Sequence, residues 1–316
     1  MEIKSLCGIV KAVCVSERRG TEKKAVSQAE LQVGYGIVND AHAGKWHRQV
    51  SLLSYDKVQE FNARGGQAHV GAFGENILVE GLDFKNLPVG TKLFCGDVIL
   101  KMTQIGKECH THCQIYQRVG DCIMPREGVF AEVLQGGTIK PGDEMKAVLP
   151  ALDAPFTAAV VTLSDKGFAG ERQDTSGPLA AQMLRDAGYE VIEELILPDD
   201  KARIERELIR LCDGRQAALV ITTGGTGMSP RDCTPEATLA VATRNVPGIA
   251  EAIRAGSMQI TPRAMLGRGV SVLRNQTLIV NLPGSRKAVE ESLQLILPNL
   301  GHGLRILRGT EAECGR

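Results

Sequence analysis

The feature that most constrains the fold is a regular alternation of apolar runs and helical patterns in the second half of the chain. Apolar runs of strand length occupy residues 158–163, 191–197, 217–222 and 278–282. Between them, residues 178–187 and 199–212 space their apolar side chains as amphipathic helices do. This alternation predicts an α/β fold with a parallel, doubly wound, three-layer sheet, in which ligands bind at the carboxyl ends of the strands.

The first half of the chain has a different pattern. Its β-rich runs are short and are separated by glycine turns, at residues 8–15, 50–53, 76–79, 92–94, 98–104 and 128–133. Residues 54–63 form the one clear helix candidate. Closely spaced strands with few helices predict a mostly-β barrel or sandwich. A segment with two prolines, 149–155, reads as a linker, so we expect two domains, residues 1–150 and 151–316.

Composition narrows the classes of partner. The chain has 37 basic and 37 acidic residues and no basic stripe, so we expect no nucleic-acid partner and no anionic membrane partner. No apolar run approaches the roughly 20 residues that span a bilayer, and the first residues lack the pattern of a signal peptide. Nine cysteines, an odd number, indicate reduced thiols rather than a disulfide framework. We therefore expect a cytoplasmic protein.

The strongest local signal is the sequence LVITTGGTG at residues 219–227, an apolar run that enters a glycine-rich turn. Because Gly224, Gly225 and Gly227 lack a Cβ, successive backbone N–H groups there can converge on an anion, and the hydroxyls of Thr223 and Thr226 can add donors. The turn has neither the lysine nor the spacing of a phosphate-binding Walker loop. A purely structural turn is the alternative interpretation.

Two charged residues follow this turn. Arg231 can contact a phosphate, and Asp232 can offer a hard oxygen ligand to Mg²⁺. Thr234 is expected to be the N-cap of the next helix, with Pro235 in its first position. The alternative role for Asp232 is an ordinary helix-capping carboxylate.

Two further segments are expected at the same edge of the sheet. Asp199 follows the apolar run 191–197, where it could share a metal ion with Asp232, while its neighbour Asp200 reads as a helix N-cap. The run 278–282 leads into a tight turn whose N–H groups can form a second anion-binding or nucleotide-base wall.

These motifs carry a resemblance to a known family. The segments TTGGTG, PRDCTPEAT and IVNLPG, with LSD at 163–165, resemble the molybdopterin adenylyltransferase family over residues 156 to about 310. The resemblance implies transfer of AMP from Mg-ATP to the terminal phosphate of molybdopterin, which prepares the pterin for a downstream molybdate-insertion enzyme. It also implies a homotrimer.

The resemblance implies a set of site residues as well. Asp199 and Asp232 match the two essential aspartates and would be both catalytic and Mg²⁺ ligands. The residues matching the nucleotide-binding loops are Thr223, Gly224, Gly225, Thr226, Gly227, Arg231, Asn281, Pro283, Gly284 and Ser285. One departure is Gly267, which stands where several relatives have serine near the proposed pterin pocket.

The first half resembles, more loosely, the MOSC domain. The supporting segments are GIVNDAHAG at 36–44 and FGENIL at 73–78. This resemblance implies a β-rich domain that holds sulfur on a functional cysteine or binds the molybdenum cofactor. The candidates are Cys109, Cys113 and Cys122, and the sequence leaves a reactive thiol, a metal site with the flanking histidines, and inert cysteines all open.

Asp40, His42 and Arg48 have two interpretations as well, an anionic-ligand pocket and a turn-stabilising network. For the whole chain, the main hypothesis is an adenylyltransferase fused to a MOSC-like domain. The rival is a non-catalytic pterin-binding scaffold fused to a thiol-dependent reductase.

Overall fold

The computed structural model describes residues 6–107, 116 and 121–311 and divides the chain into two compact units, Met1–Ala151 and Leu152–Arg316. The candidate cysteines Cys109 and Cys113 lie outside the described residues. Within the described ranges, no helix has the length and hydropathy of a membrane span.

The first unit is built mostly from strands. They are β1 (Leu6–Val15), β2 (Lys24–Val26), β3 (Ala29–Gln32), β4 (Gly36–Ile37), β5 (Val50–Ser54), β6 (Ile77–Glu80), β7 (Lys92–Cys95), β8 (Val98–Ile105), β9 (Val129–Gln135), β10 (Gly137–Ile139) and β11 (Glu144–Val148). The described helical segments are α1 (Tyr55–Ala63), α2 (Met124–Glu127) and a 3₁₀ turn, Phe84–Asn86.

Seven of these strands close into a barrel in the order β1-β11-β7-β8-β9-β5-β6. Closure is made by antiparallel pairing of the first and last strands, where Leu6 lies opposite Ala147. The interior is apolar, with Val13, Leu52 and Leu100 fully buried. A closed barrel leaves these strands without an unpaired edge. The prediction of a mostly-β first half is therefore confirmed, as a barrel and not a sandwich.

The second unit alternates strands and helices. Its strands are β12 (Thr157–Leu163), β13 (Glu190–Leu197), β14 (Leu219–Thr223), β15 (Arg244–Asn245), β16 (Ser271–Arg274) and β17 (Thr277–Leu282). Its helices are α3 (Asp165–Phe168), α4 (Ser176–Asp186), α5 (Lys201–Ile209), α6 (Thr234–Val241), α7 (Pro247–Met258) and α8 (Arg286–Arg308), with a π turn at Arg210–Gly214 and a 3₁₀ turn at Pro262–Leu266.

The sheet of this unit has the order β13-β12-β14-β17-β16-β15, in which the first four strands are parallel. Helices α4, α7 and α8 pack on one face, and α5 and α6 pack on the other. The predicted doubly wound α/β fold is confirmed. Because the chain adds β13 on one side of β12 and β14 on the other, a topological switch point lies between β12 and β14, where such folds bind ligands.

Three details differ from the sequence prediction. The helix expected at 199–212 begins at Lys201, because the Asp200 carboxylate caps it by accepting from the Arg203 N–H at 2.7 Å, and it gives way to the π turn after Ile209. The prediction that Thr234 is an N-cap is wrong by one residue, since α6 begins there. The antiparallel edge formed by β15 and β16 was not predicted because both strands are short, β15 is entirely polar and β16 is half polar.

Candidate functional site

A cavity of about 450 Å³ opens at the carboxyl edge of the parallel strands in the second unit. All four parallel strands contribute to its wall. The lining residues include Ser164 and Gly167 after β12, Asp199 after β13, Gly224, Gly225 and Asp232 after β14, Gly284, Ser285 and Arg286 after β17, and the segment 172–176 that leads into α4. The residues singled out in the sequence that line this cavity are Asp199, Thr223, Gly224, Gly225, Asp232, Gly284 and Ser285.

The glycine turn after β14 is tightly held. Gly224 and Gly225 have φ of +98° and +62°, in the left-handed region that favours glycine. A Cβ on Gly224 would lie 2.3 Å from the carbonyl oxygen of Leu163, so no side chain fits between β12 and β14 here. The Thr234 hydroxyl donates to the Gly224 carbonyl at 2.9 Å, and the Thr223 hydroxyl donates to the Pro283 carbonyl at 2.8 Å.

Asp199 presents one unsatisfied oxygen to this turn. Its Oδ2 accepts from the Asp165 N–H at 3.1 Å. Its Oδ1 is buried and accepts no hydrogen bond from the described residues. A Cβ on Gly225 would lie 3.0 Å from that atom. Burial raises the pKa of Asp199, and the negative charges of Asp165 and Asp232 add to the rise. An orphaned buried carboxylate oxygen is the signature of a missing cation or donor.

Asp232 also lines the cavity, next to Gly227 of the glycine turn. A Cβ on Gly227 would lie 2.8 Å from its Oδ2. Arg268 holds the segment 227–232 in place with two hydrogen bonds. Its Nε donates to the Gly227 carbonyl at 2.7 Å, and its Nη2 donates to the Asp232 carbonyl at 2.8 Å. Arg268 also pairs with Glu236. Sequence reasoning missed Arg268, because a single arginine some 40 residues away gives no local signal.

Arg231, for which the sequence predicts a phosphate contact, forms an ion pair with Asp165. Its guanidinium pairs with the Asp165 carboxylate, with Nη2 at 2.9 Å from both oxygens and Nε at 3.1 Å from Oδ2. It is not among the residues that line the cavity. The side chain is about two-thirds exposed, so it is accessible to a ligand at the rim.

Asn281 supports the sheet from within. Its side chain is buried, its amide donates to the hydroxyls of Thr222 at 2.9 Å and Thr238 at 3.0 Å, and its oxygen accepts from the Val270 N–H at 3.2 Å. These contacts occupy the groups that could read a nucleotide. Thr226 is also buried.

The remaining predicted residues stand around the cavity or away from it. Gly284 and Ser285 line it, and Ser285 caps α8 by accepting from the Ala288 N–H. Pro283 contributes its carbonyl to the bond with Thr223. Gly267 ends a 3₁₀ turn and does not line the cavity.

Asp174 is a site residue that the sequence reading missed. Its Oδ2 accepts from the Thr162 hydroxyl at 2.6 Å, and its Oδ1 accepts from the N–H groups of Ser176 at 2.9 Å and Gly177 at 3.0 Å. Burial alone would raise the pKa of Asp174, but these hydrogen bonds outweigh it and lower the pKa. An Asp just before a helix start was the available signal.

In the first unit, Asp40 forms a buried ion pair. Both side chains are fully buried, and Lys23 Nζ lies 2.7 Å and 2.5 Å from the two carboxylate oxygens. The carboxylate also accepts from the N–H groups of Ser16 and His42 at 3.0 Å. Asp40 thus belongs to a network that fixes its turn. Lys23 was not predicted, because its burial depends on packing.

The other candidates of the first unit lie elsewhere. Arg48 stacks on the Trp46 ring, 4.6 Å from its centroid. Cys122 is buried in an apolar cluster with Ile123 and Met124. Among the described residues, no three His, Cys, Asp or Glu side chains are grouped as a metal site.

Comparison with known proteins gives two family matches. Residues 159–302 match the family described as "probable molybdopterin binding domain", and residues 39–146 match the MOSC domain. The molybdopterin adenylyltransferase of Escherichia coli K12 is 44% identical over 138 residues, which are 43% of this chain and 70% of that protein. That of Haemophilus influenzae is 42% identical over 155 residues, 48% of this chain and 79% of that protein.

A solved structure is also similar. The molybdopterin biosynthesis enzyme MoaB of Thermus thermophilus is 44% identical, covers 49% of this chain and 97% of that chain, and has a TM-score of 0.47.

Proposed function

The chain belongs to the molybdopterin adenylyltransferase family, nucleotidyltransferases of molybdenum cofactor biosynthesis, and from this membership we propose that its second unit transfers AMP from Mg-ATP to molybdopterin. The family membership and the MOSC resemblance were both predicted from the sequence and are confirmed. The observation that carries the proposal is the buried Asp199 Oδ1, which has no partner among the described residues and adjoins the glycine turn.

The donor set fits Mg²⁺. This ion is usually held by one or two carboxylates together with substrate phosphates and waters, and the cavity offers Asp199 and Asp232. Asp199 and Asp232 would hold the ion, which would neutralise charge on the phosphates.

The chain's own residues would position the reactants. The Gly224 N–H donates to the Leu282 carbonyl at 3.2 Å, so the N–H groups that follow Gly224 in the turn would be the ones to meet phosphate oxygens. Ser285 and Arg286 lie at the N-terminus of the 23-residue helix α8, whose positive potential would act beside the glycine turn, since a Cβ on Gly284 would lie 3.1 Å from the Gly224 Cα. Transfer would then proceed in line: an oxygen of the terminal pterin phosphate bonds to the α-phosphorus while pyrophosphate leaves.

The predicted residues divide into two proposed roles. Gly224, Gly225, Gly227, Gly284 and Ser285 would contact the ligand, and Arg231 would meet a phosphate at the rim. Thr223, Thr226, Asn281 and Pro283 would hold the loops in place, since Thr223, Asn281 and Pro283 form hydrogen bonds to other loops and strands.

For the first unit we propose that the MOSC-like domain binds the molybdenum cofactor or carries sulfur on Cys109 or Cys113. Burial of Cys122 in an apolar cluster argues against it as the acting thiol. A homotrimer of the second unit and a downstream molybdate-insertion enzyme complete the proposal. Alkylation rates of the three thiols near neutral pH test it: Cys109 or Cys113 should react at least tenfold faster than Cys122.

Adenylyl transfer tests the main proposal. Protein, Mg-ATP and molybdopterin are combined, and pyrophosphate and adenylylated pterin are measured. Asp232→Asn should lower turnover about 100-fold or more. Asp200→Asn serves as the matched control, because asparagine also caps helices. If wild-type protein binds ATP and pterin but releases no pyrophosphate, the second unit is a binding scaffold.

A further inference from the structure

Asp165 has no role assigned from the sequence motifs. Its carboxylate contacts both the Asp199 backbone and the Arg231 side chain. Asp165 is separated from the end of β12 by one residue, Ser164, and lies next to the end of β13. The Asp165 N–H donates to Asp199 Oδ2 at 3.1 Å, and the Asp199 N–H donates to Asp165 Oδ1 at 3.0 Å. This reciprocal pair of bonds ties together the ends of two adjacent parallel strands and fixes the orientation of both carboxylates.

The carboxylates of Asp165 and Asp199 differ in whether their oxygens can accept a further ligand. Both oxygens of Asp165 accept from Arg231, and Oδ1 also accepts from the Asp199 backbone. Asp199 uses only Oδ2, so its Oδ1 remains without a partner among residues of the described ranges. Asp165 is therefore saturated, whereas Asp199 can take a further ligand.

Asp165 is not needed to start the helix it opens. Ser164 is the N-cap of α3 and accepts from the Gly167 N–H at 3.0 Å. The Asp165 side chain is also about two-fifths exposed, so it contributes little to the core. Its bonds reach instead to Asp199 on one side and Arg231 on the other, which are both residues of the proposed site.

We propose that Asp165 is a positioning residue that orients Asp199 Oδ1 toward the metal–nucleotide complex and holds Arg231 at the rim of the same site. This inference rests on the proposed function. Groups that orient a metal ligand typically account for 10- to 100-fold in metal affinity or activity. The Asp199 N–H bond needs only an oxygen acceptor, whereas the Arg231 pair needs a negative charge.

Two substitutions separate these contacts. Asp165→Asn keeps an amide oxygen for the Asp199 N–H but removes the charge that pairs with Arg231. Asp165→Ala removes both contacts, while the backbone N–H to Asp199 and the Ser164 cap remain. Asp200→Asn, on the same loop as Asp199, is the control. Binding is measured without turnover, by titrating Mn²⁺ in the presence of ATP and recording unbound Mn²⁺ by electron paramagnetic resonance.

We expect Asp165→Ala to weaken protein-dependent Mn²⁺–ATP binding at least 10-fold, Asp165→Asn to weaken it less than threefold, and Asp200→Asn to leave it unchanged. In adenylyl transfer, Asp165→Ala should raise the Mg²⁺ concentration for half-maximal rate by a similar factor. Wild-type Mn²⁺ affinity in Asp165→Ala, or equal losses in the alanine and asparagine variants, would overturn the proposal. Binding without turnover in the wild type would refute only the proposed activity, because the binding series still tests Asp165.

Discussion

Replacing Asn281 by alanine should destabilise the second unit without a direct effect on nucleotide contacts. The substitution removes the buried bonds to Thr222 and Thr238 and the partly buried bond from the Val270 N–H. A buried N–H left without an acceptor costs about 1–3 kcal/mol, and each lost neutral bond costs about 1 kcal/mol. We therefore expect a loss of about 3 kcal/mol in the free energy of unfolding, which for a domain of this size lowers Tm by about 6–12 °C.

The assay must separate the two units, because a two-domain chain does not unfold in one step. The helices of the second unit dominate far-ultraviolet circular dichroism, and Trp46, the only tryptophan, reports the first unit by fluorescence. Asn299→Ala, at an exposed position in α8, is the control and should shift Tm by less than about 2 °C. If Asn281→Ala keeps the wild-type Tm but loses ATP binding, Asn281 contacts the nucleotide and the reasoning is wrong.

Three further predictions follow from other contacts. Gly225→Ala should lower the affinity for ATP at least 10-fold, because its Cβ would lie 2.3 Å from Thr234 Oγ1. The control is Gly188→Ala, at φ +87° with no neighbour within 4 Å; it should lower the free energy of unfolding by only about 1 kcal/mol and leave the affinity for ATP unchanged. Burial raises the pKa of Glu75 from 4.5 to about 7, so between these pH values the native state holds a proton that the unfolded chain releases. The free energy of unfolding of the first unit should therefore fall by at most about 3 kcal/mol as the pH rises from 4.5 to 7. Urea unfolding at several pH values measures this slope, and Glu75→Gln should flatten it. Asp174→Ala should lower the free energy of unfolding by about 2 kcal/mol near pH 7 and by less in acid. The pKa of Asp174 is lowered in the folded protein, so its carboxylate stabilises the fold above the pKa of the unfolded chain, and this stabilisation is lost as the pH falls. Equal losses at pH 7 and pH 3 would contradict this.

The sequence predicted most of the fold because buried parallel strands are continuously apolar. The run expected at 278–282 is β17, displaced by one residue, and the run at 158–163 is β12. Strands such as Lys24–Val26 could not be predicted, since they are short, largely exposed and defined only by pairing with β1.

The same distinction between local pattern and long-range contact applies to the candidate site. The edge of the sheet that carries Asp199 and the glycine turn followed from strand direction alone. The contacts of Asp165, Arg268 and Asn281 did not, because each joins segments far apart in the chain through side-chain geometry. Local patterns locate loops, but they do not reveal which polar group of a loop is already occupied.

The closure of the barrel through β1 and β11 has a consequence for synthesis. Strand β1, Leu6–Val15, completes its ladder only with Glu144–Val148, which is synthesised much later. Until the ribosome has released those residues, β1 carries an unsatisfied backbone edge that other nascent strands could join. Contacts this distant in sequence form slowly, because a loop of about 130 residues must close first. The first unit is thus exposed to aggregation while it is being made.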